Sequence, residues 1–154
     1  MKDLVLDCPL CQEAGGLLVT QTPLWRVVRV IDVNFPAFYR LIWASHLAEF
    51  SQLSPAQRSE CMEAVVTIER VLIEALQPTK INLASLGNMV AHLHWHVIAR
   101  FDWDSHFPNP VWGEAQRSVA GAASDRLALP LAELDRRVAA GLKLLSPAAS
   151  AVST

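Results

Sequence analysis

The sequence predicts an α+β fold, in which an antiparallel β-sheet packs against one long helix and a C-terminal helix follows. Segments rich in β-branched and aromatic residues alternate with helical periodicity in the order strand, strand, helix, strand, strand, helix. We expect five to seven strands. The 154 residues suit a single domain, and neither an internal repeat nor a long linker divides the chain.

The strands before the long helix are predicted from residue type. Residues 17–20 form a short candidate strand, and residues 24–31 are rich in valine and isoleucine, which favour strands. Turn-forming residues fill the segment 32–36. A further strand is expected over residues 38–43, antiparallel to the strand before it.

The long helix has a clear start signal at Ser54-Pro55-Ala56-Gln57. Ser54 can cap the helix, Pro55 suits its first position and Gln57 completes a capping box. Apolar residues then recur at steps of three and four, namely Met62, Val65, Val66, Ile68, Val71, Leu72 and Leu76. This spacing predicts an amphipathic helix of about six turns that ends near Pro78.

The second half of the chain repeats the strand pattern. Residues 80–85 and 92–100 are predicted strands, separated by a turn at Gly87 and Asn88. A proline-rich loop follows, carrying the aromatic residues Trp103, Phe107 and Trp112. The last amphipathic helix is expected over residues 130–145, with a tail of small residues after it.

Composition excludes several classes of protein. The chain is 52% hydrophobic and 18% charged, which is typical of globular proteins rather than disordered ones. A net charge of −2 argues against a nucleic-acid partner. No apolar run reaches the roughly 18 residues of a membrane helix, and the start lacks a signal-peptide core. We therefore expect a cytoplasmic protein without a membrane partner.

The most informative segment is His92-Leu93-His94-Trp95-His96-Val97-Ile98. Side chains alternate along a strand, so the three histidines are expected in a row on one face, roughly 6.6 Å apart. Such a row cannot be buried unpaired. Two uses remain open on spacing alone. The imidazoles bind a metal ion, or one acts as a nucleophile on phosphate while its neighbours supply hydrogen bonds.

Histidines alternating with hydrophobic residues, followed by two further hydrophobic residues, resemble the signature of the histidine-triad (HIT) family. The resemblance covers roughly residues 5–113, leaving residues 114–154 as a C-terminal extension of one HIT domain spanning residues 1–154. Both Lys80–Asn88 and Pro108–Gly113 look like a bacterial branch of this family. The resemblance implies a HIT-like fold, a homodimer, no organic cofactor and a small nucleotide as ligand.

The resemblance also implies a reaction. His94 attacks the α-phosphorus of a purine nucleotide conjugate, either a dinucleoside polyphosphate or a nucleoside phosphoramidate, and gives a nucleotidyl-histidine intermediate. His96 hydrogen-bonds the phosphate or the leaving-group oxygen. His92 keeps His94 in the tautomer that has a free lone pair. The chain is thus expected to be a hydrolase or a nucleotidyltransferase.

Four further residues are implied as nucleotide contacts. Asn82 donates to the phosphate, and the backbone at Gly87 and Asn88 approaches it closely. Asp32, in the turn after the second strand, accepts from a ribose hydroxyl. Family members often carry Ser or Thr where this chain has Met89, which cannot donate a hydrogen bond. The alternative function is therefore a nucleotide-binding regulatory or interaction protein with little turnover.

The N-terminal Cys8-Pro9-Leu10-Cys11 is half of a zinc site or a chance pair of cysteines. The resemblance favours the zinc site, because some bacterial relatives combine such a pair with two histidines. These correspond to His46 and to His92. Two thiolates and two imidazoles form the closed tetrahedral set of a structural zinc ion.

Overall fold

The computed structural model describes residues 5–145, and within them the expected α+β fold is confirmed. The antiparallel sheet has the order β1-β2-β3-β5-β4, with β1 Leu17–Gln21, β2 Trp25–Arg29, β3 Phe38–Trp43, β4 Lys80–Ala84 and β5 His94–Arg100. The helices are α1 Pro9–Gln12, α2 Pro55–Leu76 and α3 Leu131–Lys143, with 3-10 turns at Phe50–Gln52 and Ala123–Arg126. The predicted small-residue tail lies outside the described residues.

The start of α2 forms as its sequence predicts. The Ser54 hydroxyl accepts from the Gln57 N–H at 3.2 Å, and the Gln57 side chain accepts from the Ser54 N–H at 2.9 Å. The helix ends where Gln77 takes a left-handed conformation, with φ of 47°. None of the helices within residues 5–145 has the length and apolar character needed to cross a bilayer.

One face of the sheet packs against α2 and α3. The helices and this face share one buried core, to which β3 contributes Tyr39, Leu41 and Trp43, and α3 contributes Leu134, Val138 and Leu142. Asp135 of α3 accepts from the Tyr39 hydroxyl at 2.7 Å and from Arg29 Nε at 2.9 Å. The extension after residue 113 therefore packs on the core of the domain. That the whole chain is one domain stays a prediction.

The opposite face is covered only at its two ends. Near α1, Cys8 and Leu10 pack on Val28 and Ile42, and at the other end Phe35 packs on Phe38 and Ile98. Between these ends, β3 and β5 present a strip of polar side chains: Arg40, His94 and His96. The fold thus leaves the middle of this face for a site.

The strand expected over residues 92–100 begins two residues later than predicted. His92 lies before β5, where its N–H donates to the Val90 carbonyl at 2.8 Å, and the Leu93 N–H donates to Leu47 at 2.7 Å. The segment that follows β3 thus supplies the hydrogen-bond acceptor for Leu93, which a neighbouring strand would supply in a regular sheet. The row of three histidines is therefore interrupted, and His92 faces a different set of groups.

Candidate functional site

A cavity of about 480 Å³ opens at the middle of the uncovered sheet face. Strands β3 and β5 form its floor, and the connection from β4 to β5 forms one wall. Its lining consists of Leu10, Arg40, Leu86, Gly87, Asn88, Met89, Val90, His94, His96 and Trp112. None of these residues is acidic, so the cavity suits an anionic ligand.

His94 is held in a defined tautomer. Its Nδ1 lies 2.6 Å from the backbone carbonyl of His92, and a carbonyl only accepts, so Nδ1 carries the proton. Nε2 is left with a lone pair. Burial, together with the charge of Arg40, lowers the pKa of His94 below its ordinary value, although the His92 carbonyl acts in the opposite direction. A neutral imidazole with a bare Nε2 is a nucleophile.

The backbone carbonyl of His92, and not its imidazole, fixes the tautomer of His94. The expected effect of His92 on this tautomer thus comes from its main chain. The imidazole points elsewhere, with Nε2 2.8 Å from the Trp43 carbonyl and Nδ1 3.4 Å from Cys8 Sγ. One residue therefore contacts both His94 and the cysteine pair.

His96 lies beside His94, with the two ring centroids 4.8 Å apart. Burial, the neighbouring His94 and the charge of Arg40 lower the pKa of His96 to about 3, so this imidazole is neutral at physiological pH. Its Nδ1 is buried without a hydrogen-bond partner among the described residues. Nε2 is the atom left to contact a ligand. Trp112 packs edge-on against the His96 ring at 5.0 Å.

The connection from β4 to β5 gives the cavity wall its shape. Gly87 has a φ of +81°, which L side chains rarely adopt, so this glycine is required by the backbone conformation. Gly87 and Asn88 both line the cavity, and their contacts to phosphate stay predictions. Met89 is 95% exposed and offers no hydrogen-bond donor at the rim.

Two predicted nucleotide contacts do not line this cavity. Asn82 lies on the same sheet face, and its Oδ1 accepts from Arg100 Nη1 at 2.9 Å, which leaves the amide NH₂ free to donate. Asp32 lies in a separate depression, where its Oδ1 accepts from the N–H groups of Asn34 and Phe35. The roles of Asn82 and Asp32 in nucleotide binding stay predictions.

A buried ion pair holds the proline-rich loop that carries Trp112. Arg100 and Asp104 are 1% and 2% exposed, and Arg100 donates to both carboxylate oxygens at 2.8 and 2.9 Å. Burial alone raises the pKa of Asp104, but Arg100 and three backbone N–H groups lower it overall. Arg100 also donates to the Asn109 carbonyl at 2.9 Å. The pair thereby fixes the loop above His96.

A second cluster lies where α1 meets the uncovered face. One ligand atom from each of four residues lies within 4.8 Å of the other three, and these residues are Cys8, Cys11, His46 and His92. Cys11 Sγ is 3.4 Å from His46 Nδ1 and 3.5 Å from His92 Nδ1. His92 Nε2 donates to the Trp43 carbonyl, which leaves its Nδ1 unprotonated toward the cysteines. The structure therefore brings together all four predicted metal ligands.

The donor set of this cluster fits zinc. Two thiols and two imidazoles are a standard ligand set for a structural zinc site. Because protein side chains take all four coordination positions, none is left for a substrate. Burial raises the pKa of the Cys11 thiol, so the thiol keeps its proton unless a cation replaces it. His94 and His96 are not part of the cluster. Among the described residues, the three histidines do not converge as one set of metal ligands.

Arg40 is a site residue that the sequence did not indicate. Arg40 lies in the apolar strand β3, opposite His96 in the register. A signal was present, because Arg40 is the one charged residue among the apolar residues 38–43. However, the sheet face to which the Arg40 side chain points depends on the register of the strand, which the sequence does not show. Leu10 was missed for a similar reason, because only the tertiary fold brings α1 to the cavity.

The fold and site define a small α+β protein with a neutral, tautomer-fixed histidine in an anion-accepting cavity. The HIT domain model matches residues 12–103. This chain belongs to the HIT family, a group of nucleotide-binding hydrolases and transferases that includes some non-catalytic members. No curated protein matches the sequence.

Solved structures of bacterial histidine triad proteins are similar to this chain. A protein from Bradyrhizobium japonicum has a TM-score of 0.68 and 27% identity, covering 84% of this chain and 92% of its own. One from Marinobacter aquaeolei has a TM-score of 0.68 and 26% identity, covering 86% and 93%. A zinc-bound histidine triad family protein from Mycobacterium smegmatis shares the fold at 17% identity, with a TM-score of 0.56 and coverage of 91% and 96%.

Proposed function

We propose that this protein is a hydrolase or nucleotidyltransferase acting at the α-phosphate of purine nucleotide conjugates, either dinucleoside polyphosphates or nucleoside phosphoramidates. The observation that carries the proposal is the hydrogen bond from His94 Nδ1–H to the His92 carbonyl. This bond leaves a neutral Nε2 as the free ring nitrogen of a residue that lines the cavity. The proposal places nucleotide contacts at Gly87 and Asn88, with Asn82 and Asp32 as further donors and acceptors.

The proposed reaction has two steps. The His94 Nε2 lone pair forms a bond to the α-phosphorus, while the bond to the leaving group breaks and the leaving group takes the electron pair. His96 Nε2 contacts the leaving-group oxygen or nitrogen as its charge develops. Water, or another acceptor with a hydroxyl or amine, then attacks the phosphorus and releases Nε2. The accepting nucleophile loses its proton to the site or to solvent.

Intact-protein mass spectrometry during turnover tests this mechanism. We expect a covalent nucleotidyl adduct on His94 when diadenosine polyphosphates or adenosine phosphoramidate are mixed with excess enzyme. Binding without an adduct and without turnover would instead identify a nucleotide-binding protein. The exposed Met89, which replaces a hydroxyl donor, favours that alternative.

His96→Ala is expected to slow the enzyme according to the quality of the leaving group. Because His96 Nε2 is proposed to assist leaving-group departure, poor leaving groups should lose about 10²-fold or more in kcat and good ones less than about tenfold. A series of substituted aryl esters of AMP measures this dependence. An equal loss across the series would count against a role in departure.

The pH profile follows from the lowered pKa values at the site. His94 is active only when its Nε2 is unprotonated, and burial shifts protonation of His94 to lower pH. We therefore expect kcat/KM for diadenosine triphosphate to stay nearly constant from pH 8 to below about 6.5, the ordinary histidine pKa, and to fall only under more acid conditions. Zinc content is measured at each pH. An acid limb centred at or above 6.5 would contradict the expected neutral state.

We propose that the cluster of Cys8, Cys11, His46 and His92 binds one structural zinc ion. The four-residue geometry supports it, as does the zinc-bound family member from Mycobacterium smegmatis. All three cysteines in the described residues are free thiols, and a thiolate zinc site requires a reducing compartment. We propose the cytoplasm on that basis.

We also propose a homodimer, as the family resemblance implies. Strand β4 is an edge strand of the sheet, and apolar side chains are exposed on or near it, Leu83 at 40% and Leu86 at 54%. Exposed apolar edges favour pairing with another chain. Sedimentation of the wild-type protein and of a Leu83→Lys variant tests the assembly, which the lysine should weaken.

A further inference from the structure

Arg40 is a partly buried cation that lines the cavity and has no anionic partner among residues 5–145. Its Nη1 donates to the Gly15 carbonyl at 3.3 Å, and its Nε is buried with no hydrogen-bond partner among residues 5–145. No carboxylate of the described residues forms an ion pair with it, and the cavity lining contains none. By contrast, Arg26 donates to three backbone carbonyls in the N-terminal segment.

The position of Arg40 relates it to the proposed reaction. It is the cross-strand partner of His96 in the pairing of β3 with β5, and the next pair on the same face is Ile42 with His94. Side chains directly opposite each other in such a pair have Cβ atoms about 4.5–5.5 Å apart. The Arg40 side chain therefore extends from a position next to His96, whose imidazole contacts the leaving group in the proposed mechanism.

Partial burial of this charge has a cost for folding. Burial lowers the pKa of Arg40, which reflects the unfavourable removal of the guanidinium from water. Folded proteins retain unpaired, partly buried charges where a function requires them. A guanidinium presents several N–H donors in a planar fork that matches the oxygens of a phosphate.

We propose that Arg40 is a phosphate-recognition residue, whose guanidinium holds a second phosphate group beside the one that His94 attacks. The cavity then selects nucleotides with at least two phosphates over those with one, and among the proposed substrates it favours the polyphosphate type. The reaction at His94 rests on the proposed function. The anion contact at Arg40 rests on the geometry of the cavity.

Calorimetric titration of the full chain tests this recognition directly. Inorganic pyrophosphate is titrated into the wild type, and ADP and AMP into His94→Asn, which prevents turnover. We expect ADP to bind at least about tenfold more tightly than AMP. Arg40→Gln should weaken ADP and pyrophosphate on the order of 10- to 100-fold and AMP by less than about threefold, whereas Arg40→Lys retains part of the affinity. Arg137→Gln, on the exposed face of α3, is the matched control and should change nothing.

Thermal melting separates recognition from a structural role. Removing an unpaired, partly buried charge should leave the melting temperature of Arg40→Gln unchanged or higher. Equal loss of ADP and AMP affinity, or no loss of either, would overturn the proposal. If no variant binds ADP or AMP, the proposed function fails. In that case, pyrophosphate binding that depends on Arg40 would still support the anion site. A lack of pyrophosphate binding would refute the anion site.

Discussion

Replacing His94 with asparagine is expected to abolish turnover while nucleotide binding is retained. The substitution removes Nε2 of His94, the ring nitrogen that is proposed to attack the phosphorus. Its amide NH₂ replaces Nδ1–H as the donor to the His92 carbonyl, which lies 2.6 Å away in the wild type. Loss of a nucleophile lowers kcat on the order of 10⁴- to 10⁶-fold in enzymes of known mechanism. Steady-state rates with diadenosine triphosphate and ADP titration measure the two effects.

His106→Ala is the matched control for this experiment. His106 lies in the proline-rich loop, packs against Phe35 and does not line the cavity. Its loss should change kcat by less than about threefold, since substitutions away from the reacting groups remove no transition-state contact. Activity of His94→Asn within tenfold of the wild type would show that another group performs the attack.

Much of the fold follows from local sequence signals. The capping box at Ser54 and the apolar spacing after it specify α2, and both appear in the structure as predicted. Strand β3 matches its prediction and β1 is one residue longer, but β2, β4 and β5 are shorter than predicted. Residues 24–31, for example, yield only Trp25–Arg29. Pairing with the neighbouring strand, which the sequence does not display, decides where each strand ends.

The site was predictable where one segment carries it and not where the tertiary fold assembles it. The spacing of the histidines places His94 and His96 on one face without knowledge of the partner strands. The role of the His92 carbonyl was not predictable, because backbone groups carry no residue signature. Arg40 and Trp112 reach the cavity from β3 and from a loop. Register and loop packing, which a single sequence does not reveal, determine both contacts.

Cys8→Ser is expected to remove zinc from the protein and to lower its thermal stability substantially. A metal that binds only the folded state adds to stability by about 4 kcal/mol when free zinc exceeds its dissociation constant 1,000-fold. For a domain of this size, each kcal/mol changes the melting temperature by roughly 2–4 °C, so a fall of about 10 °C follows. Elemental analysis of untagged protein and calorimetric melting measure both quantities.

Cys61→Ala separates the ligand thiols from an ordinary buried cysteine. Cys61 is fully buried on α2 and lies outside the four-residue cluster. This control should lose some stability through packing but keep about one zinc ion per chain. Addition of a chelator should lower the melting temperature of the wild type and of Cys61→Ala, and should leave Cys8→Ser unchanged.

The effect of zinc loss on catalysis depends on how His92 joins the two sites. Its imidazole faces the cysteines while its carbonyl accepts from His94 Nδ1–H. Without the ion, His92 retains its bond to the Trp43 carbonyl, so His94 keeps its tautomer but is positioned less firmly. We expect Cys8→Ser to reduce kcat by about 10- to 100-fold, far less than His94→Asn. Wild-type protein that contains no zinc and melts unchanged with chelator would show that the cysteines are ordinary thiols.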